Sequence, residues 1–277
     1  MKNIKKKKHT ANITIELLLW IMTLAVLIPL ALVLINSFKT TAEAARLDIN
    51  LPNKLITDNY VTVFKKGSIV RSFLNSLLYS SVSSLFSNLT AAMAAFVMAR
   101  HKSRFFSGAH TYFFLGLVAM TNYVTTVQVM NWLHLLNTAT GMILLFVAQG
   151  IPFSVFLFFG FVKGIPRSLD EAAVIDGCSS ARVFFQVVFP LLKPVFITGF
   201  VLNFMNAWND FITPLYVLNQ TSKWGMIMSI YNFFGLHGKE WNLISAVIVV
   251  TIVPILIVYL VCQRYIIAGM ISGAVKG

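Results

Sequence analysis

The chain has 277 residues, 57% hydrophobic and 11% charged, with a formal net charge of +13. Soluble domains are usually about 25% charged and about 45–50% apolar, and so few charges cannot cover a surface that faces water on every side. Composition therefore excludes an ordinary soluble enzyme, a disordered chain and a coiled coil, and leaves an integral membrane protein.

A bilayer core about 30 Å thick needs about 20 mostly apolar residues per spanning helix. A charge at the centre of such a helix costs about 2.5–3.5 kcal/mol. Runs free of Lys, Arg, Asp and Glu are therefore the signal. Taken in chain order, they predict spans over residues 17–38, 73–99, 106–130, 141–162, 194–217 and 242–263. The third and fourth come from one charge-free run, Phe105 to Val162, with a connection placed near Asn131 to Thr140, where Asn, His, Thr and Gly gather. Open strands cannot sit in hydrocarbon, because their backbone groups would go unpaired. The expected fold is all-α: a polytopic bundle of six transmembrane helices. Residues 1–16 form a basic tail and residues 17–277 a single membrane domain.

The first span follows Lys5 to Lys8, and Ala42-Glu43-Ala44 resembles a small-residue cleavage site. The apolar run is longer than a signal-peptide h-region of roughly 7–15 residues, and the site lies well beyond it. A retained span is the expectation. Cys178 and Cys262 form no metal-ligand or disulfide pattern and read as small apolar residues.

Basic residues near span ends set orientation. With the N-terminus cytoplasmic, the inner segments hold 14 Lys and Arg and the outer ones 8. Arg100, Lys102 and Arg104 in one short turn are the strongest vote for that side. Both termini are expected in the cytoplasm. Much of the positive charge is then topological, and nucleic acid is not implied.

Span two is rich in serine: Ser76, Ser80, Ser81, Ser83, Ser84 and Ser87, with Asn75, Asn88 and Thr90. Small polar residues suit a close-packed helix interface, and they also suit a pathway lining. Both readings stand at this point. Asp210 is the only acid in any span, so no relay of intramembrane carboxylates is present to couple an ion gradient. The energy source is expected outside this chain. No G-x-x-x-x-G-K-[ST] loop is present to cradle a nucleotide phosphate. The chain is not expected to be an enzyme.

Segment 163–193 carries the most information. Pro166 stops what precedes it. Ser168 and Glu171 have capping-box spacing, S-x-x-E, and predict a helix N-terminus. Asp170 adds favourable charge there. Gly177 predicts the helix end, because glycine readily takes the left-handed conformation of a helix C-terminus. A second helical piece is expected up to Pro190. The product is a short helix–turn–helix tied to spans at both ends, built to dock into a groove on another protein.

Glu171-Ala172-Ala173, Asp176-Gly177 and Pro190-Leu191 match the EAA motif of binding-protein-dependent ABC importer permeases. Leu136-Asn137-Thr138, Ala207-Trp208-Asn209-Asp210-Phe211, Gln263-Arg264-Tyr265 and the final Gly273-Ala274-Val275-Lys276-Gly277 are similar to the carbohydrate branch, specifically the smaller six-span permease of the maltose transporter. The resemblance covers most of the chain from about residue 55 onward.

That resemblance implies a prokaryotic cell-membrane protein, one half of a sugar translocation pathway. It implies a sister permease subunit, cytoplasmic ATPase subunits, an extracytoplasmic solute-binding protein and a carbohydrate substrate. ATP and magnesium would belong to the ATPase. Residues 168–181 would be the coupling helix, with Glu171, Ala172, Ala173, Asp176 and Gly177 meeting the ATPase. The C-terminal tail would lie near it. Family members usually carry a proline near the outer half of the third span. Here the stretch is Met120-Thr121-Asn122-Tyr123-Val124, which argues against a kink.

Asn122, Trp208, Asn209 and Asp210 are the candidate substrate-pathway residues, since an aromatic face and polar tips suit a sugar. Trp208 equally suits an interfacial aromatic belt. Loop 219–241, with Trp224, Tyr231, Phe233, Phe234 and Trp241, is a candidate contact for the binding protein. His110 and His134 read as packing residues. The alternatives are a permease for a non-sugar solute, a stand-alone secondary carrier and a membrane assembly factor.

Overall fold

The computed structural model describes residues 2–101, 103–119, 121–234 and 240–274, with side chains within 15–263. In chain order the helices are α1 (Lys2–Asn36), α2 (Thr41–Ala44), α3 (Asp58–Lys66), α4 (Ile69–Arg100), α5 (Arg104–Gly116), α6 (Tyr123–Trp132) and α7 (Ala139–Lys163). There follow α8 (Arg167–Ile175), α9 (Ser180–Arg182), α10 (Phe189–Asn209), α11 (Ile212–Val217), α12 (Met226–Ser229) and α13 (Trp241–Ala274). Among the described residues every regular element is helical. Five stretches are long and apolar enough to cross a membrane: Ile15–Asn36, Ile69–Arg100, Ala139–Lys163, Ser180–Asn209 and Trp241–Gln263. The fold is an all-α membrane fold.

One expected span, 106–130, is not a single helix. It is α5 and α6, with non-helical residues at 117–119 and 121–122 between them. At 1.5 Å per residue, the 13 residues of α5 reach only about 20 Å. The helix is interrupted here without the proline. Asn122 sits extended at φ −86°, ψ 102°, and its side chain accepts from the Thr125 N–H, restarting the helix as α6. The connection expected near 131–140 is found at residues 133–138. There His134 and Asn137 take positive φ, and Thr138 caps α7.

The fifth span also departs from its expected bounds of 194–217. Helix begins at Ser180, runs through a π-helical turn at Val183–Val188 and continues as α10 to Asn209. Pro190 therefore does not end a helical piece. Proline has no N–H and clashes with the carbonyl four residues earlier. The wider π turn relieves that clash, with Phe189 N–H donating five residues back to Phe184 O. At the far end Asp210 turns the chain in an extended conformation before the separate α11.

The chain divides into two compact units, Met1–Ser68 with Ile230–Ile252, and Ile69–Ser229 with Val253–Gly277. In the first, polar groups organise the segment after α1. Lys39 is almost fully buried and pairs with Asp48 at 2.7 Å. Asn59 donates to Ser37 O and Lys39 O, both at 2.9 Å, and accepts from Asn242 at 2.9 Å. A capping box joins Thr40 and Glu43 across α2. Hydrogen bonds hold both carboxyls below the usual range: from the Thr40 backbone above all for Glu43, and from the Lys39 ammonium for Asp48.

In the second unit α4 packs along α7, and α10 packs on both. The serine stripe of α4 is the seam. Ser83 donates back to Tyr79 O and Ser87 to Ser83 O, so these hydroxyls bond to their own helix. That leaves only small surfaces facing the partner helices. A Cβ at Gly150 of α7 would stand 2.8 Å from Ser87 Oγ, and one at Gly199 of α10 would stand 2.4 Å from Asn88 Oδ1. Asn203 of α10 donates to Ser154 of α7 at 2.7 Å. The close-packed reading of this helix accounts for Ser76, Ser80, Ser83, Ser84, Ser87 and Asn88, all buried. An apolar cluster around Ala91, Ala95, Phe158, Val188 and Leu192 continues the same seam.

Candidate functional site

Two arginines build the root of α8. Arg100, the last residue of α4, sits 2.5 Å from the Asp170 carboxylate in the first turn of α8. It also donates to Val162 O at 3.4 Å and Ile165 O at 3.2 Å, at the end of α7. Arg167, the first residue of α8, donates to Ala99 O at 3.1 Å and Arg100 O at 3.3 Å. The last carbonyls of a helix lack intrahelical partners. Each arginine supplies them for a neighbouring element, so the ends of α4 and α7 and the start of α8 form one clamp.

The expected Ser168–Glu171 capping box is absent. The helix starts two residues earlier, at Arg167, with Pro166 at the N-cap and no side-chain cap bond. Pro166 holds φ −57° and ψ 133°, which turns the chain sharply into the helix. Ser168 is then already inside the first turn. The carboxylate of Asp170 in the same turn is held by Arg100, and its charge is favourable at a helix N-terminus.

The expected helix end is present. Gly177 has φ +82°, Cys178 N–H donates to Ala173 O at 2.9 Å, and Gly177 N–H donates to Val174 O at 3.0 Å. That bond pair is a Schellman motif. Cys178 packs at the edge of the apolar cluster and is a free thiol.

Ala173 is buried and turns α8 toward the π-helical turn. Glu171, Ala172, Asp176 and Gly177 are exposed. Beside them Val174 and Ile175 stand out, Ile175 with 84% of its surface exposed. A helix held at its root by a half-buried ion pair and by arginine–carbonyl hydrogen bonds, with an apolar and acidic face turned outward, can transmit force to a partner.

The candidate pathway residues divide. Trp208 is buried, packed edge-on against Phe73 at 5.8 Å and stacked near Phe204 at 5.5 Å. Asn209 is exposed. Asp210 accepts from the Thr213 N–H at 3.0 Å and from its hydroxyl. Thr213 also meets the Tyr123 hydroxyl at 3.4 Å, and Tyr123 stacks on Tyr216 at 4.8 Å. Asn122 is the cap immediately before Tyr123. The structure thus joins Asn122 and Asp210 through Tyr123 and Thr213, neither of which the sequence pattern singled out. Their signal would have been an aromatic and a hydroxyl beside the two residues that break apolar runs.

Residues 219–229 are pinned to α4. Asn75 donates to Ser222 O and Trp224 O, both at 3.0 Å, Tyr79 donates to Lys223 O at 3.1 Å, and Met226 N–H donates to Ser76 Oγ at 2.8 Å. Lys223 reaches Asn137 O, tying this loop to the α6–α7 connection. In the same candidate contact loop, residues 235–239 lie outside the described residues, as do Lys102, Met120 and the final Val275-Lys276-Gly277.

Residues 14–272 match the family model described as "Binding-protein-dependent transport system inner membrane component". The chain is 33% identical over 275 residues to a probable starch degradation products transport system permease protein of Thermoanaerobacterium thermosulfurigenes, covering 98% of this chain and 99% of that one. It is 35% identical to a multiple sugar-binding transport system permease protein of Streptococcus mutans, covering 99% and 100%. It is 34% identical to a diacetylchitobiose uptake system permease protein of Streptomyces coelicolor, covering 92% and 85%. The fold is similar to a chain in the crystal structure of a bacterial ABC transporter involved in import of the acidic polysaccharide alginate. The TM-score is 0.81 at 21% identity, over 92% of this chain and 95% of that one.

Proposed function

The chain belongs to the binding-protein-dependent transport system inner membrane components, and from that premise we propose a sugar or oligosaccharide permease subunit that couples to a cytoplasmic ATPase through α8. The sugar relatives named above support the cargo. Six crossings are part of this reading. Since α5 and α6 are each too short to span alone, together they would supply the third crossing, broken at Asn122. Both termini and segment 163–193 would then face the cytoplasm, as the distribution of basic residues argues.

The observation that carries the coupling role is the doubly anchored root of α8. Arg100–Asp170 and Arg167 tie it to the ends of α4 and α7, so a push on its exposed face moves two long helices together. Glu171 and the Val174–Ile175 edge would seat in an ATPase cleft, with Gly177 setting the exit angle. On the other side, residues 219–229 would meet a solute-binding protein. Asn122, Asn209 and Asp210 would border the pathway, with Trp208 as packing beneath Asp210. A sister permease would complete the route, and ATP with magnesium would act only in the ATPase.

The test is affinity purification of the tagged full chain from its own host in mild detergent. An ATPase, a second permease and a solute-binding protein should come with it, and that binding protein should take up a sugar. A stable, monodisperse chain recovered alone would overturn the reading in favour of a stand-alone carrier.

A further inference from the structure

We propose that a basic cavity between α4, α5 and α7 holds the phosphate headgroup of an anionic phospholipid. The cavity has a volume of about 810 Å³, and His101, Arg104, Phe106, His110, Phe159 and Lys163 are in its wall. Arg100 and Arg167 also line it, but both are committed to the α8 clamp. No Asp or Glu lines it among the described residues. Among the described residues the ion pairs Lys39–Asp48 and Arg100–Asp170 use neither Arg104 nor Lys163. Arg104 and Lys163 therefore line the cavity without a paired carboxylate.

An aromatic ring holds one of those cations in place, and ring pairs pack around it. Lys163 Nζ lies 4.5 Å over the Phe159 ring, which also packs against His110 at 4.0 Å. His101 stacks on Phe106 at 5.2 Å. The outer flank of α5 is strongly apolar: Phe105, Tyr112 and Leu115 are all exposed. A small soluble anion would use the cations alone. A phospholipid uses both features, its phosphate in the basic mouth and its chains along α5. Cations placed beside a membrane surface attract anionic headgroups. The placement of this mouth at the cytoplasmic leaflet rests on the orientation in the proposed function.

Native mass spectrometry of the full chain in its importer complex tests the site, with phosphatidylglycerol and phosphatidylcholine as probes. One phosphatidylglycerol should be retained in preference to phosphatidylcholine. Arg104→Gln with Lys163→Gln should weaken that retention about 30-fold, at about fivefold per cation. Lys65→Gln with Lys66→Gln, which removes the same charge outside the cavity, should leave it unchanged. Equal retention of both lipids, or equal loss in both double variants, overturns the proposal. So does competition by millimolar inorganic phosphate with no lipid retained, which would make the ligand a free anion. If the cavity variants do not assemble, lipid retention by the unaltered complex against the two probes still decides. Labelling of Ser103→Cys from outside intact cells would reverse the orientation in the proposed function without touching the lipid measurement.

Discussion

Arg100 and Asp170 lie 70 residues apart in sequence, yet their side chains meet 2.5 Å apart and nearly sealed from solvent. Their contact converts a short polar linker into a rigid extension of α4. Removing one partner of such a pair strands the other in a poorly hydrated site, at a cost of about 2–3 kcal/mol. Arg100→Met and Asp170→Asn should each lower the detergent melting temperature and uptake. Because the residues touch, the double variant should cost less than the two singles added together. Additive losses in a double-mutant cycle would show that the pair is not coupled.

Glu171 makes no hydrogen bond within α8's root and faces outward. Glu171→Lys should therefore abolish most uptake while membrane insertion and thermal stability stay at the level of the unaltered chain. Normal uptake would remove Glu171 from coupling.

Gly177 offers a separate handle on the same helix. A Cβ there would meet nothing within 4 Å, so a substitution suffers only from the positive φ. Gly177→Ala should cost about 1–2 kcal/mol locally, and Gly177→Asn less. Hydrogen exchange of the Cys178 amide, which donates to Ala173 O, would read the difference. Equal protection in Ala and Asn variants would contradict a conformational cause.

The α4–α10 seam leaves no room at Gly199. Gly199→Ala would press a methyl to 2.4 Å from Asn88 Oδ1 and should destabilise by about 1–3 kcal/mol. Shortening the neighbour relieves the clash, so Gly199→Ala with Asn88→Ala should melt higher than Gly199→Ala alone. A lower melting point for the double variant would refute this packing account.

Glu43 and Asp48 both have lowered pKa values in the fold. A carboxyl of this kind contributes stability that is present above its unfolded value, about 3.9 for Asp and 4.3 for Glu. That contribution is lost as pH falls through the lower folded value. Protection of the Ile56 amide, which donates to Phe38 O, should hold at pH 6 and decline below about pH 4. Lys39→Met removes the leading cause for Asp48 and should reduce the decline. A flat pH response in the unaltered chain would contradict the assignment.

Hydrocarbon tolerates neither charge nor unpaired backbone, so charge-free length alone marks a crossing. That local rule made α1, α4, α7 and α13 legible in the sequence to within a few residues over their apolar stretches. Gly177 was legible by a second local rule, because a positive φ is a property of one residue. The broken 106–130 segment escaped the charge rule, since Asn122 is as uncharged as its neighbours and only its cap geometry marks where the helix restarts. The Ser168–Glu171 spacing misled for the opposite reason. A local cap lost to Pro166 and to Asp170, whose partner Arg100 comes from another helix. Trp208 sinking between Phe73 and Phe204, and Tyr123 meeting Thr213 beside Asp210, are contacts between distant segments that no spacing records. Sequence by itself determined that this chain lives in a membrane and where an exposed polar linker interrupts it. Tertiary structure decided what holds that linker, because buried charges and hydroxyls find partners by packing, and packing joins residues that the chain keeps far apart.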